Sequence, residues 1–249
     1  MCEDGAPVPT PRFSKKQCDA EHRQGLRGLM HGTPASPMKL VIIGDACVGK
    51  TCMISTLREG RFPDEMSCPY APQIELAVDG GRTTVSLTLW DTKSSDDYAF
   101  LRPRIFPATL CFLVCYSCVE RASFESIERK WLAELQFYLP QVPWILVGLQ
   151  SDLRNKAQAP LSVQKQQQQQ QQKQQAPVTA DEGKELACRL GAASYFECSA
   201  LEDASAVSRG LLWEDTGIIQ AAHAAALAGK TYLAERASGA SARTKCVVQ

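Results

Sequence analysis

Residues 44–51 read Gly-Asp-Ala-Cys-Val-Gly-Lys-Thr, a G-x-x-x-x-G-K-[ST] pattern without mismatch. The short apolar run Leu40-Val41-Ile42-Ile43 precedes it and a helix-compatible stretch follows. A strand that turns through two glycines into a helix is built to hold an anion. Backbone N–H groups wrap phosphates, Gly49 permits close approach, and Lys50 reaches the terminal phosphates. The Thr51 hydroxyl is placed to ligate Mg²⁺, and the helix aims its positive N-terminus at the charge. A glycine-rich strand-to-helix turn without a ligand is the alternative for such an octapeptide. The flanking strand and helix favour the phosphate loop.

The rest of the chain repeats the alternation of strands and helices. Ile74, Leu76 and Val78 alternate with polar residues, then Asp79-Gly80-Gly81-Arg82 leads into Val85, Leu87 and Leu89, a hairpin signature. Residues 110–116 and 144–148 are continuous apolar runs, as strands buried on both faces of a parallel sheet require. Between them Phe124, Ile127, Trp131, Leu135 and Tyr138 recur at helical spacing until Pro140 and Pro143. A helix over 181–190, a strand over 195–198 and a closing helix over 204–227 complete the pattern. The expected fold is α/β, a doubly wound, mostly parallel sheet whose site lies at the carboxyl ends of the strands.

Composition fixes the organisation around that domain. Residues 1–37 mix five basic and four acidic side chains with prolines and glycines, and are expected to be a disordered leader. A domain over 38–228 follows, interrupted at 158–177 by a segment in which residues 164–175 are ten glutamines and two lysines. Residues 229–249 read as a flexible tail. The 27 Lys+Arg balance the 27 Asp+Glu, so no global charge points to nucleic acid. Eleven cysteines, scattered and without repeated C-x-x-C spacing, suggest reduced intracellular thiols rather than a disulfide or zinc framework. Neither a secretory leader nor a membrane span is expected from the apolar runs.

Six ordered segments together resemble the Ras superfamily of small GTPases, and within it the Rho branch. They are 44–51; Leu-Trp-Asp-Thr at 89–92; Asp-Tyr-Ala-Phe-Leu-Arg-Pro at 97–103; Ala-Ser-Phe-Glu-Ser-Ile at 122–127 with Lys130-Trp131; Leu-Val-Gly-Leu-Gln-Ser-Asp-Leu-Arg at 146–154; and Glu-Cys-Ser-Ala-Leu at 197–201. The resemblance spans Lys39 to about Ala200, and the glutamine segment falls where the Rho branch carries an extra insert. It implies a P-loop GTPase fold that binds GTP or GDP with Mg²⁺. The implied nucleotide residues are Gly44, Asp45, Ala46, Cys47, Val48, Gly49, Lys50, Thr51, Cys52, Phe62, Asp91, Gln150, Asp152, Leu153, Ser199, Ala200 and Leu201, with Thr51 on the metal. Asp152 matches the carboxylate that accepts from guanine N1–H and its exocyclic amine, a pairing adenine does not offer. Ser199-Ala200 matches the segment contacting the base from the other side, and Phe62 an aromatic edge packed on it. Leu149 stands where the family prefers Thr or Asn, and Gln150 where it has Lys.

Departures gather at the hydrolytic step. In the family a Gln from Asp-x-x-Gly-Gln orients the attacking water. Here Asp91 is followed by Thr92-Lys93-Ser94-Ser95-Asp96, so Ser95 replaces the Gln and Ser94 the glycine that senses the γ-phosphate. Ala46 replaces a glycine that leaves room for the water. Residues 63–73 offer no threonine for Mg²⁺ in the first switch; Ser67 and Tyr70 are the hydroxyls there. The resemblance therefore implies a GTP-binding signalling protein with weak or absent hydrolysis. Two alternatives stand beside it: a nucleotide-poor pseudo-GTPase acting as an interaction scaffold, and an active GTPase completed by a partner.

The final residues Cys246-Val247-Val248-Gln249 form a C-a-a-X box, for which terminal Gln favours farnesylation of Cys246. The expectation is a monomer on the cytoplasmic face of a membrane and in the cytosol, recruiting effector proteins and Rho-type regulators. A single isoprenoid gives reversible anchoring, and the four basic residues of 229–249 add a weak electrostatic supplement.

Overall fold

In the computed structural model, which describes residues 14–21, 38–64, 73–78, 83–95, 98–157 and 176–202, the apolar run before the glycine turn is strand β1 (Met38–Gly44). It is followed by β2 (Gln73–Val78), β3 (Thr83–Asp91), β4 (Cys111–Ser117), β5 (Trp144–Leu149) and β6 (Ser194–Glu197). These build one six-stranded sheet in the order β2-β3-β1-β4-β5-β6. Every pairing is parallel except the β2–β3 hairpin. The chain thus forms the doubly wound, mostly parallel sheet that its pattern implies. Register sets the site: Asp91 at the end of β3 lies beside Ile42, and Gly44 at the end of β1 lies beside Cys115.

Strands β4 and β5 are buried along their whole length because both faces of the sheet are covered there. Along β4, Phe112, Val114 and Tyr116 enter one core layer while Cys111, Leu113 and Cys115 enter the other. Helix α2 (Lys50–Glu59) lends Met53 and Ile54 to the second layer. The first layer is covered by α4 (Arg121–Ser126), a π-helical turn (Ile127–Leu132) and α5 (Ala133–Tyr138), which form one continuous helix. Ile127, Trp131 and Leu135 lie buried there with Phe124 and Tyr138 packed against them, so the helical spacing is realised. The widened middle turn is not encoded in that spacing. Short helices α3 (Arg102–Ile105) and α6 (Ser151–Ala157) lead out of the β3 and β5 ends, and α7 (Ala180–Leu190) precedes β6.

The structure corrects the expectation of a disordered leader within 1–37. Residues 15–21 form helix α1, and Cys18 is wholly buried in the same core layer as Phe106 and Phe112. Its Sγ lies 3.7 Å from the Pro103 carbonyl, Gln141 Nε2 donates to Asp19 Oδ1 at 3.2 Å, and the Lys15 ammonium sits 5.3 Å from the Phe137 ring centroid. Burial pushes the Cys18 thiol up to about 12. One small apolar side chain docks this helix, too little to register against a polar, Pro/Gly-rich background. The glutamine run 164–175, residues 204–227 and the tail with Cys246 lie outside the described residues. All eight cysteines among the described residues are free thiols.

Helix α7 carries its start signal in full. Glu182 N–H donates to Thr179 Oγ1 at 3.2 Å and Thr179 N–H donates to Glu182 Oε2 at 2.8 Å, a capping box. Arg121 adds a 2.9 Å ion pair to the same carboxylate. Arg121 and the two Thr179 donors hold Glu182 down at about 2, against an ordinary 4.5. A depressed carboxylate stabilises the fold in full above its unfolded pKa and loses that contribution as pH falls through its folded one. Glu182→Gln should therefore lower the thermal midpoint at neutral pH. The gap to wild type should close as pH falls from 4.5 towards 2, as read by circular dichroism melts.

Candidate functional site

The glycine turn owes its shape to backbone conformations that side chains disfavour. Gly44 has φ +147°, and a Cβ there would lie 2.2 Å from the Cys115 carbonyl oxygen, so the β1–β4 approach excludes any side chain. Cys47 takes φ +60° on the outside of the turn beside exposed Ala46, while Val48 is wholly buried and anchors the turn to the core. Gly49, at φ +107°, begins α2 without a side-chain cap. The first-turn N–H groups of a ten-residue helix are thus left to face an anion.

Lys50 follows at once and is 6% exposed. Its ammonium donates to the Gly44 carbonyl at 2.9 Å, the Asp45 carbonyl at 2.5 Å and Ser94 Oγ at 2.7 Å. Burial pushes the ammonium below its usual pKa, and the nearby Asp91 and Asp45 carboxylates oppose that shift. Thr51 Oγ1 donates to Asp91 Oδ2 at 2.5 Å, while buried Asp91 Oδ1 has no hydrogen-bond partner. A hydroxyl and a carboxylate with an orphaned buried oxygen are the hard donors that Mg²⁺ selects, so these residues fit that ion. Thr92 Oγ1 donates to the Ile42 carbonyl at 2.7 Å, tying the segment after β3 to β1. Cys52, the next residue of α2, is half-buried and its thiol is raised by burial.

At the far end of the sheet Asp152 is 4% exposed in the first turn of α6, and Ser199 Oγ donates to its Oδ1 at 2.8 Å. Gln150, at φ +60°, joins the two halves of the site. Its Nε2 donates to the Cys47 carbonyl at 3.2 Å, and its Oε1 accepts from Ser117 Oγ at 2.6 Å. Leu149, at the position where the resemblance prefers a polar side chain, is buried in the second core layer. Behind Asp152, Arg154 makes a two-pronged ion pair with Glu197, at 2.6 Å from Nη1 to Oε1, and donates to the Val178 carbonyl at 3.1 Å. This fastens α6 to β6 beneath the site. Leu153 and Leu201 are exposed and Ala200 packs on the second layer. Phe62 is exposed in the segment after α2, with no described contact that brings it to Asp152.

The degenerate positions sit in a network that no motif announced. Ser94 is half-buried against Lys50, whereas Ser95 is exposed. The Ser95 carbonyl accepts from Arg102 Nη1 at 3.2 Å, and the Lys93 carbonyl lies 3.5 Å from the same atom. Arg102 is 3% exposed and pairs with Glu134 through Nη2–Oε2 at 2.9 Å and Nε–Oε1 at 3.1 Å. Its guanidinium lies 5.0 Å from the Trp131 ring centroid. Trp131 itself donates its indole N–H to Asp45 Oδ1 in the glycine turn at 2.9 Å. Apolar periodicity marks Trp131 as core and misses this role; the available clue is that a buried indole N–H needs an acceptor. Ser67 and Asp96 fall outside the described residues.

Comparison with known proteins agrees with this arrangement. Residues 39–209 match the family model described as the Ras family. The GTP-binding protein RHO1 of Eremothecium gossypii is 36% identical over 225 residues, covering 88% of this chain and 98% of that protein. The GTP-binding protein RHO1 of Saccharomyces cerevisiae is 39% identical over 168 residues, covering 65% of this chain and 74% of that protein.

Proposed function

The chain belongs to the Ras family, in its Rho branch of small GTPases, and from that premise we propose that it binds guanine nucleotide through residues 44–52 and hydrolyses GTP weakly or not at all. One observation carries the binding half. The uncapped start of α2 and the buried Asp152 stand at the carboxyl edge of one sheet, joined by Gln150. The turn and α2 supply N–H donors for phosphates, Lys50 a cation, and Asp152 a carboxylate matched to the guanine edge. Thr51 and Asp91 would hold Mg²⁺, which offsets charge between the terminal phosphates when bound.

The hydrolytic half rests on what the chain lacks. Orienting a water requires a side chain that accepts and donates at reach, and Ser95 is short, exposed and backbone-tethered to Arg102. Ala46 adds a Cβ at the exposed crest of the turn. Neither change touches Lys50, Thr51 or Asp152. Affinity and hydrolysis are therefore separable, and the protein would signal by its amount and location rather than by rapid cycling. Denaturing the purified full chain and identifying the nucleotide released tests the binding half: guanine nucleotide supports it, and an empty protein returns the scaffold alternative.

Membrane attachment belongs to the same proposal. The C-a-a-X end at Cys246 supports farnesylation, with effectors and Rho-type regulators as protein partners and no nucleic acid. Cys246→Ser should move most of the protein from the membrane pellet to the soluble fraction, and a farnesyltransferase inhibitor should do the same to wild type. A pellet fraction unchanged by both would remove the tail from the proposal.

A further inference from the structure

A turn with three residues at positive φ depends on its surroundings for its shape. Gly44, Cys47 and Gly49 have φ of +147°, +60° and +107° within six residues, and the side chain of Cys47 disfavours that region. Such conformations persist where neighbouring contacts over-determine them. Contacts from elsewhere in the chain do so here. Gln150 Nε2 donates to the Cys47 carbonyl at 3.2 Å, and Trp131 donates its indole N–H to Asp45 Oδ1 at 2.9 Å. The Trp131 bond engages a side-chain oxygen of the turn and leaves the backbone N–H groups of residues 44–49 untouched. Those are the groups that a phosphate takes. Trp131 is wholly buried, so its donor is closed to an arriving anion. The bond and a bound nucleotide are therefore compatible, whatever the number of phosphates.

The donor is itself held in place. Trp131 lies in the π-helical turn Ile127–Leu132, a widened turn of the kind that recurs at functional sites. Arg102 and Lys130 lie over its ring, at 5.0 and 4.8 Å from the centroid, where a cation is attracted to the π face. Arg102 is fixed in turn by Glu134, which stands three residues beyond Trp131 on the same continuous helix. A rigid buried donor thus meets a charged acceptor on an element that needs holding, and a hydrogen bond to a carboxylate is among the stronger kinds.

We propose that Trp131 is a positioning residue of the phosphate site: through Asp45 it holds the glycine turn in its anion-binding shape and so slows the release of bound nucleotide. This rests on the guanine-nucleotide proposal and adds to it a determinant that acts without touching the ligand. A turn that must be ordered anew at each encounter binds more weakly than one already set, and such differences fall mainly on the dissociation rate.

The test is the release of a fluorescent GDP from the full-length protein, chased with excess unlabelled GDP in the presence of Mg²⁺. Trp131→Phe removes the N–H and keeps a ring, and should speed release by about tenfold. A smaller ring also leaves space in the core, so a second variant carries benzothienylalanine at position 131, in which sulfur replaces the indole N–H at nearly the same size. It should speed release comparably, and it decides the matter alone if Trp131→Phe does not fold. Asp45→Ala removes the acceptor, and in that background Trp131→Phe should change release by less than about twofold. A defect of the core alone would speed release equally in both backgrounds. Release that the benzothienylalanine variant leaves unmoved overturns the proposal, as does an effect of Trp131→Phe that is as large with Asp45→Ala as without it. Failure of wild type to bind guanine nucleotide would overturn the guanine-nucleotide proposal and this one with it, whereas binding with either of those results overturns this one alone.

Discussion

Lys50→Ala should leave the purified protein empty, with affinity for a fluorescent GDP reduced by about 100-fold or more. Hydrogen bonds to an ionised donor contribute more than neutral ones, and Lys50 brings such a donor together with a full charge. Nothing else among the described residues of the turn carries a positive side chain, since residues 44–49 are Gly, Asp, Ala, Cys, Val and Gly. The fold should survive, because the Lys50 head group interacts with carbonyls and a hydroxyl at the rim rather than filling the core. Circular dichroism would confirm a native spectrum, and chromatography of the denatured supernatant would show no nucleotide. Wild type and variant that both release none would leave the scaffold alternative in possession.

The second large effect is on rate. Wild type preloaded with GTP should show single-turnover hydrolysis far below that of an ordinary small GTPase, and a Rho-type activating protein should not change it. On the proposal, the departures act on the attacking water: Ser95 is too short to orient it, and Ala46 adds a Cβ to the exposed crest of the turn. Groups that act only in the transition state are worth ~10²–10³ in rate each, while base and phosphate contacts set affinity. Ala46→Gly combined with Ser94→Gly and Ser95→Gln should raise the single-turnover rate by about 100-fold. Ordinary activator-stimulated hydrolysis by the unmodified protein would sink the hydrolysis-deficient proposal.

Much of this was legible in the residues, for reasons that differ by element. The runs 40–43, 111–116 and 144–148 could be read as buried strands because a parallel sheet covered on both faces leaves no polar position in them. The glycine turn was legible because the approach of Gly44 to the Cys115 carbonyl and the positive φ of Gly49 tolerate nothing else. Asp152 and Ser199 were found one by one through resemblance, and they meet at 2.8 Å. What stayed hidden depends on tertiary neighbours. Helix α1 buries a single apolar side chain, Cys18, and Gln150 joins Ser117 to Cys47 across more than a hundred residues of sequence. The link from Trp131 to Asp45 runs through a π-turn that apolar spacing does not encode, and the use of Ser94 by Lys50 needs two segments folded against each other.

The order of the strands also has a consequence in time. The phosphate turn ends at Lys50 and Thr51, whereas Asp152 and Ser199 are contributed from the far edge of the sheet, β5 and β6. At ~5–20 residues per second, a ribosome needs roughly 8–30 s between making Gly44 and making Ser199. Strands β1, β3 and β4 can pair during that interval, since each is complete by Ser117. The nascent chain then carries the glycine turn without Asp152, the carboxylate proposed to meet a base. Ligand stabilises only states that bind it. A nucleotide held at both ends of the site, as proposed, would therefore add its full stabilisation only once β5 and β6 have joined the sheet.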